Sequence, residues 1–480
     1  MSEFKKINEV RVRFPPSPTG FLHVGNARTA IFNWLFAKHN NGKFILRIED
    51  TDRERSKKEY EDDIVEGLKW LGLEWDEFYK QSDRLPIYSK YLQKLLAEKK
   101  AFWCYHSEEE LEKERQEQIL NKVIPRHVCS YKSEIKNPKS ETERKKGVIR
   151  LAVDENSTRK IKFEDLIRGN IEFEERLLGD FSIARDLDAP LYHFAVVVDD
   201  YEMEISHVIR GEDHIANTPK QILIQEALGF ERPQYAHLPL LLGPDKSKLS
   251  KRHGAVSLNE YKKLGYLPEV MFNFLALLGF TPPENREIFS RDELISMFDL
   301  AKVHKSGAIF NTQKLDWMNG EYIKRLKDDE LAEKIIQSQS SRLPEFSASE
   351  FLKEDLIKIM PLARERMKKL SDIFEFNYFF KEPEYDRGLL LWKDKSFEEI
   401  KNSLSEVAKI IEERGMEDKD VLRKELDSLG AKLGDRGLVY WPFRVALTGR
   451  KASPDPIDIA AILGKQKTLE RVKRAIENLG

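Results

Sequence analysis

Val10 and Val12 alternate with charged neighbours, a period of two that predicts a short strand over 11–14. The strand runs into Pro15-Pro16-Ser17-Pro18-Thr19-Gly20, where it must stop. From Val24 the apolar positions Ala27, Ala30, Ile31, Trp34 and Leu35 recur at helical spacing, and Asn40-Asn41-Gly42 closes the pattern. Residues 44–48 predict a second strand, followed at once by the acidic turn Glu49-Asp50-Thr51-Asp52. Strand, tight loop, helix and strand open a nucleotide-binding α/β unit, in which ligands sit beyond the carboxyl ends of the strands.

Further along, residues 105–147 are heavily charged and weakly periodic, with charge-rich runs at 108–122 and 136–146, and are expected to belong to an insertion. Strand-like segments return at 149–153 and 192–198. The second is nearly all apolar, as a strand buried on both faces should be, so the parallel sheet is expected to resume there. Beyond about residue 325 the pattern is helical. In 396–415, Ser396 and Glu399 match a capping box, Phe397, Ile400, Leu404, Val407, Ala408 and Ile411 make one face, and Gly415 is placed to end the helix. A similar pattern recurs at 467–479. The fold class expected is α/β: a Rossmann-like parallel-sheet domain with an inserted α+β domain, followed by an all-α C-terminal region.

Composition narrows this only in part. A chain of 480 residues is too long for one core and predicts three or four units. With 40% hydrophobic and 34% charged residues and no apolar run of membrane-spanning length, no membrane association is expected. MSEFKKINEV lacks the apolar core of a signal peptide, and two cysteines cannot build a disulfide framework, so a cytosolic protein is expected. Lys plus Arg (81) nearly cancels Asp plus Glu (83), so any surface for a polyanion must be local.

Three constellations carry chemistry. His23-Val24-Gly25-Asn26 lies where the first strand has ended and the helix begins; free N–H groups and the dipole there favour an anion such as an ATP phosphate. The loop Asp245-Lys246-Ser247-Lys248-Leu249-Ser250-Lys251-Arg252 gathers four cations that could close on a triphosphate. Cys104, His106, His127 and Cys129 place both thiols and two imidazoles within 26 residues, a donor set suited to tetrahedral structural zinc.

Taken in order, Pro16-Ser17-Pro18-Thr19-Gly20, His23-Val24-Gly25-Asn26, Arg47-Ile48-Glu49-Asp50-Thr51-Asp52, Arg210-Gly211-Glu212-Asp213 and Lys248-Leu249-Ser250-Lys251-Arg252 make the chain resemble the bacterial glutamyl-tRNA synthetases, class I aminoacyl-tRNA synthetases. Phe310-Asn311, Lys314-Leu315-Asp316-Trp317-Met318-Asn319-Gly320 and Arg444-Val445-Ala446-Leu447-Thr448-Gly449 extend the likeness along the chain. The resemblance implies ATP binding by His23, Gly25, Asn26, Lys248, Ser250 and Lys251, with His23, Lys248 and Lys251 catalytic and Mg²⁺ brought in on the phosphates. Asn26, Leu249 and Arg252 depart from the two family signatures. Arg13, Ser17, Glu49, Tyr192 and Arg210 are implied for glutamate: the arginines against carboxylates, Glu49 against the α-ammonium. Val196 stands where some relatives carry a polar residue. The zinc spacing also departs from relatives, with His106 where cysteine is usual.

The resemblance further implies a monomer that activates L-glutamate with ATP and transfers it to tRNA-Glu, activation waiting for tRNA. Charging of tRNA-Gln as well is left open. The implied domains are 1–100 and 191–245 for the two catalytic halves, 101–190 for an inserted acceptor-stem-binding domain, 246–325 for the ATP-loop and stem-contact domain, and 326–480 for a helical anticodon-binding domain. A glutaminyl relative is disfavoured because its anticodon part is a β-barrel, and an inactive paralogue because His23, Glu49, Arg210 and Lys251 are all retained.

Overall fold

A computed structural model describes residues 9–134, 147–254, 256–284, 286–340, 342, 353–415 and 418–480. It divides into two compact units: Met1–Tyr261 with Pro268–Leu315, and Lys262–Leu267 with Asp316–Gly480.

The first unit begins as its sequence pattern predicts. Strand β1 (Arg11–Phe14) pairs parallel with β2 (Lys43–Ile48), and β2 pairs parallel with β3 (Glu77–Lys80). Helix α1 (Val24–His39) makes the crossover from β1 to β2 and buries Ala27, Ala30, Ile31 and Leu35. Val12, Phe14, Phe44, Ile45 and Leu46 are all buried, as parallel strands covered on both faces require. The strands that follow are β4 (Ala101–Cys104), β5 (Val148–Leu151), β6 (Lys160–Asp165), β7 (Gly169–Glu174), β8 (Ser182–Asp186), β9 (Ala189–Pro190), β10 (His207–Gly211) and β11 (Gln234–Leu238). An antiparallel sheet in the order β4-β5-β8-β9 forms one layer of the insertion. The second sheet, β10-β11-β6-β7, joins the parallel pair β10/β11 to the β6/β7 hairpin through Tyr235 and Asp165. Its β10 end lies beside β1, where Ser206 N–H donates to Arg11 O at 2.9 Å.

The segment 192–198 is not a strand but part of the helix Tyr192–Glu202, and the parallel sheet resumes only at β10. Phe194 through Asp200 are all buried. A helix enclosed all round has no polar face to give a 3.6-residue period, and Val196-Val197-Val198 read locally as strand. Leu191 at its N-cap supplies no side-chain hydrogen bond, so a start signal is missing too. The strand expected at 149–153 is present as β5, antiparallel within the insertion.

In the second unit the described residues form helices and turns without a strand. The helix Phe397–Arg414 has the expected capping box: Ser396 Oγ accepts from Glu399 N–H at 3.3 Å and Ser396 N–H donates back to Glu399 Oε2 at 2.9 Å. Gly415 ends it at φ 77°, a backbone angle that favours glycine. The pattern at 467–479 makes the last part of the longer helix Pro456–Asn478, with Leu479 at its C-cap, and Gly464 interrupts that helix at φ 79°. Ser107 and Glu110 cap Glu108–Leu120 within the charged stretch, whereas the run at 136–146 lies outside the described residues. Among the described residues no helix is long and apolar enough to cross a membrane.

Candidate active site

Parallel strands end on one side of the sheet, and the side chains delivered there come from separate stretches of sequence. β1 brings Arg13, β2 brings Arg47 with Glu49 just beyond it, β10 brings Arg210, and the helix Tyr192–Glu202 brings Tyr192, Val196, Asp199 and Asp200. They meet the N-terminus of α1 around a cavity of about 450 Å³ whose walls include Arg13, Ser17, Glu49, Tyr192, Val196 and Arg210. His23, Gly25, Asn26, Lys248 and Leu249 line it as well. Ser250 is absent from the wall, and the side chain of Lys251 lies outside the described atoms.

The charged groups are held from behind. Asp200 accepts from Arg13 Nε at 3.1 Å and Nη2 at 3.3 Å, and from Arg47 Nη1 at 2.8 Å. Arg47, wholly buried, also donates from Nη2 to Glu49 Oε1 at 2.9 Å. Asp199 takes Arg84 Nε at 2.7 Å, Gln81 at 2.8 Å and both its oxygens meet the Tyr88 hydroxyl. Arg210 donates from Nε to His237 Nε2 at 3.1 Å and from Nη2 to Thr218 Oγ1 at 2.8 Å. Among the described residues, Arg13 Nη1 and Arg210 Nη1 are left buried without a partner. Two guanidinium groups fixed along one edge, each with an idle donor and each lining the same cavity, are prepared for an anionic ligand.

Burial pushes the Glu49 carboxyl up to about 7 even though Arg47 and Arg13 pull it down. Asp200 is held below the usual carboxylate range because its arginines outweigh the same burial. Tyr192 donates its hydroxyl to His214 Nδ1 at 3.0 Å, and burial with Arg210 nearby keeps His214 neutral, at about 4.

At the N-terminus of α1, His23 Nδ1 accepts from Gly25 N–H at 3.0 Å and so acts as the N-cap. Burial and Lys248 depress its pKa, so the ring is neutral and presents its remaining Nε2–H as a donor. A Cβ at Gly25 would lie 3.2 Å from the His23 ring nitrogen, close enough that the ring would have to shift from its capping position. The loop that carries Lys248 is tied to itself: Ser250 N–H donates to His253 Nδ1 at 3.1 Å and Arg252 pairs with Asp245 at 3.0 Å. Lys248 Nζ is 3.9 Å from Asp213 and two-thirds exposed.

The four Cys and His residues converge apart from this cavity. Cys104 Sγ lies 3.5 Å from His106 Nδ1 and 3.7 Å from His127 Nε2, Cys129 Sγ lies 3.6 Å from His106 Nδ1, and all four ligand atoms fall within 4.8 Å of one another. A tetrahedron with zinc–nitrogen and zinc–sulfur bonds of about 2.0–2.3 Å has edges of about 3.3–3.8 Å. The donor set therefore fits zinc in number, type and spacing. Glu114 Oε2 sits 2.6 Å from His127 Nδ1, which leaves Nε2 free to ligate. Hydrogen bonds from Cys129, His127 and His106 draw the Cys104 thiol far below its ordinary value.

Sequence reasoning gave no roles to Arg47, Asp199, Asp200 or His237. Asp199 and Asp200 end an apolar run misread as a strand; two adjacent acids closing a buried segment were the only available signal. His237 has none, being a lone histidine in an apolar strand.

Parallel strand ends that converge with a helix N-terminus and a lysine-bearing loop on a charged cavity form the catalytic architecture of a class I tRNA synthetase. Residues 9–317 match the family described as "tRNA synthetases class I (E and Q), catalytic domain", and residues 330–476 match "Anticodon binding domain". The chain is 47% identical over 479 residues to a glutamate–tRNA ligase of Aquifex aeolicus, covering 98% of this chain and 100% of that one. It is 42% identical over 495 residues to one of Natranaerobius thermophilus, covering 98% and 99%. A crystal structure of a glutamate tRNA ligase from Elizabethkingia meningosepticum in complex with its amino acid matches with a TM-score of 0.84 at 33% identity, over 98% of this chain and 100% of that one. The chain belongs to the glutamate–tRNA ligase family.

Proposed function

We propose that the cavity binds L-glutamate between Arg13 and Arg210, with Glu49 taking the α-ammonium and Ser17 and Tyr192 completing the polar contacts. The observation that carries this reading is the pair of idle buried Nη1 donors on two arginines that share one cavity with a buried carboxylate. Charge supports it: with Glu49 ionised, Arg13, Arg47, Arg84 and Arg210 oppose Glu49, Asp199 and Asp200, an excess of one positive charge that glutamate, with two carboxylates and one ammonium, would neutralise.

ATP lies along the N-terminus of α1. Its phosphates take backbone N–H groups, the His23 Nε2 donor and Asn26, and Lys248, Ser250 and Lys251 close over them with Mg²⁺ accompanying the phosphates. A glutamate carboxylate oxygen attacks the α-phosphorus, the bond to pyrophosphate breaks, and the adenylate forms. The terminal ribose hydroxyl of tRNA then attacks the acyl carbon and AMP leaves. Positioning and charge stabilisation suffice, without a covalent enzyme intermediate.

Cys104, His106, His127 and Cys129 would hold zinc, which would order the inserted region 101–190 as the holder of the tRNA acceptor end. Residues 1–100 and 191–245 make the catalytic halves, 246–325 the ATP-loop and stem-contact domain, and 326–480 the anticodon-binding region. The protein acts as a cytoplasmic monomer.

The test is aminoacylation with labelled glutamate or glutamine on tRNA-Glu and tRNA-Gln transcripts, all four combinations side by side. Glutamate loading on tRNA-Glu alone marks a discriminating enzyme, and loading on both marks the relaxed type. No charging in any combination overturns the reading.

A further inference from the structure

The two substrate-facing arginines are anchored by different chemistry. Arg13 leans on the carboxylate of Asp200, so its charge is already compensated. Arg210 leans on an uncharged ring and a hydroxyl, with no carboxylate among the described residues paired to it. The guanidinium Nε has a hydrogen to donate and nothing to accept with, so His237 Nε2 must present a lone pair. The proton then sits on Nδ1, which lies 2.6 Å from Asp165 Oδ2 at a site where both side chains are wholly buried.

Asp165 is itself fixed. Its Oδ1 accepts from Ile167 N–H at 3.0 Å and Arg168 N–H at 2.8 Å, and the His237 N–H lies 3.3 Å away. Burial alone would raise this carboxyl, but the bonds from His237 and these amides outweigh it and hold it low. Burial keeps His237 below its ordinary pKa, and Arg210 and Arg168 push it in the same direction, so the ring stays neutral. Asp165 ends β6, the strand of the β6/β7 hairpin that joins β11 at Tyr235.

We infer that Asp165 and His237 are positioning residues for Arg210. Asp165 fixes the one imidazole tautomer that can hold the guanidinium by its Nε, and a neutral holder leaves Arg210 an uncompensated cation with Nη1 facing the substrate. Where the carboxylate that Arg210 meets is that of the side chain, the device favours glutamate over glutamine, whose side chain carries no charge. This rests on the reading that Arg210 meets a substrate carboxylate.

Asp165→Asn tests the tautomer. The Asn oxygen can keep the amide bonds, but its NH₂ would face Nδ1 and drive the ring proton to Nε2, donor against donor with Arg210. His237→Gln places an amide oxygen near the Nε2 position and needs no help from residue 165. With tRNA present, Asp165→Asn is expected to raise the glutamate KM by about tenfold, leave the ATP KM unchanged and narrow the preference for glutamate over glutamine. His237→Gln should stay within about threefold of the parent, and adding Asp165→Asn to it should change the glutamate KM less than about twofold.

Equal multiplicative losses in both backgrounds, or a parallel rise in the ATP KM, would overturn the dyad as a positioning device. If Asp165→Asn does not fold, His237→Met, which fills the space without a comparable acceptor, must still raise the glutamate KM by about tenfold over His237→Gln. Equality of those two also overturns it. Arg210→Ala separates the premises: an unchanged glutamate KM there removes the substrate reading itself, whereas a raised one with an inert dyad refutes only the positioning.

Discussion

Glu49 sits beside Arg47 and near Arg13, yet burial still carries its carboxyl from an ordinary 4.5 to about 7. A group poised there loses its charge within the working range of pH. If it holds the α-ammonium of glutamate, the glutamate KM should rise roughly tenfold from pH 8 to pH 6 as the ionised fraction falls, while Glu49→Gln should give a flat, weaker profile. The same shift has a stability consequence of opposite sign. The folded state binds this proton more tightly than the unfolded chain, so its contribution is fully present below about 4.5 and is lost as pH rises through about 7. Glu49→Gln should therefore melt higher than the parent at pH 8 and not at pH 4, which thermal denaturation at the two pH values checks. Equal melting shifts at both would mean that Glu49 is not held near neutrality by burial. Arg13, Glu49 and Arg210 could be picked out from sequence because the family resemblance assigns them, and Arg13 and Glu49 also stand at predicted strand ends. The groups that orient them could not, since Asp200 closes an apolar run and His237 lies inside one, and only the folded chain brings Asp200 to Arg13 and His237 to Arg210.

At the level of elements, the N-terminus of α1 combines a structural and a chemical duty in one side chain. His23 caps the helix through Nδ1 and offers Nε2–H to the cavity. Asn at position 23 can cap but cannot reach as far. His23→Asn should keep the parent's stability and lose adenylate formation, while His23→Ala should lose the activity and about 1 kcal/mol of stability as well. Chemical denaturation beside pyrophosphate exchange measures both; a fully active His23→Asn would reduce His23 to a cap. The Cys/His cluster makes a second element-level case. Purified protein should carry one zinc per chain, and Glu114→Gln should weaken zinc retention by about 10- to 100-fold because His127 loses the carboxylate that orients it. Metal analysis after graded chelation reads this directly, and a chain without zinc sinks the assignment. The opening β1-α1-β2 unit was legible from its end signals, the Pro-rich turn at 15–20 and Asn40-Asn41-Gly42, and the capped helix Phe397–Arg414 from a polar face with explicit end signals. The helix Tyr192–Glu202 has neither, and enclosure rather than local preference decided its conformation.

Across the whole molecule, net charge of −2 gives tRNA no general attraction, so recognition must come from local cations. Arg364 and Arg366 of the helical unit are candidate anticodon contacts, and their surroundings differ. Arg364 forms an ion pair with Asp328, whereas Arg366 is exposed. A cation already paired has less to offer a phosphate or a base than one open to solvent. Arg366→Ala should therefore raise the tRNA KM while leaving the glutamate and ATP constants unchanged. Its effect on the two acceptors identifies what it meets. A base contact is worth about 1–3 kcal/mol and would shift the ratio of tRNA-Glu to tRNA-Gln charging, whereas a phosphate contact would weaken both alike and lower the salt dependence of binding by about one counterion. Side-by-side charging of both transcripts at two salt concentrations distinguishes these. Unchanged tRNA constants at both salts would free Arg366 of any role, and would move anticodon recognition to other residues of the helical unit.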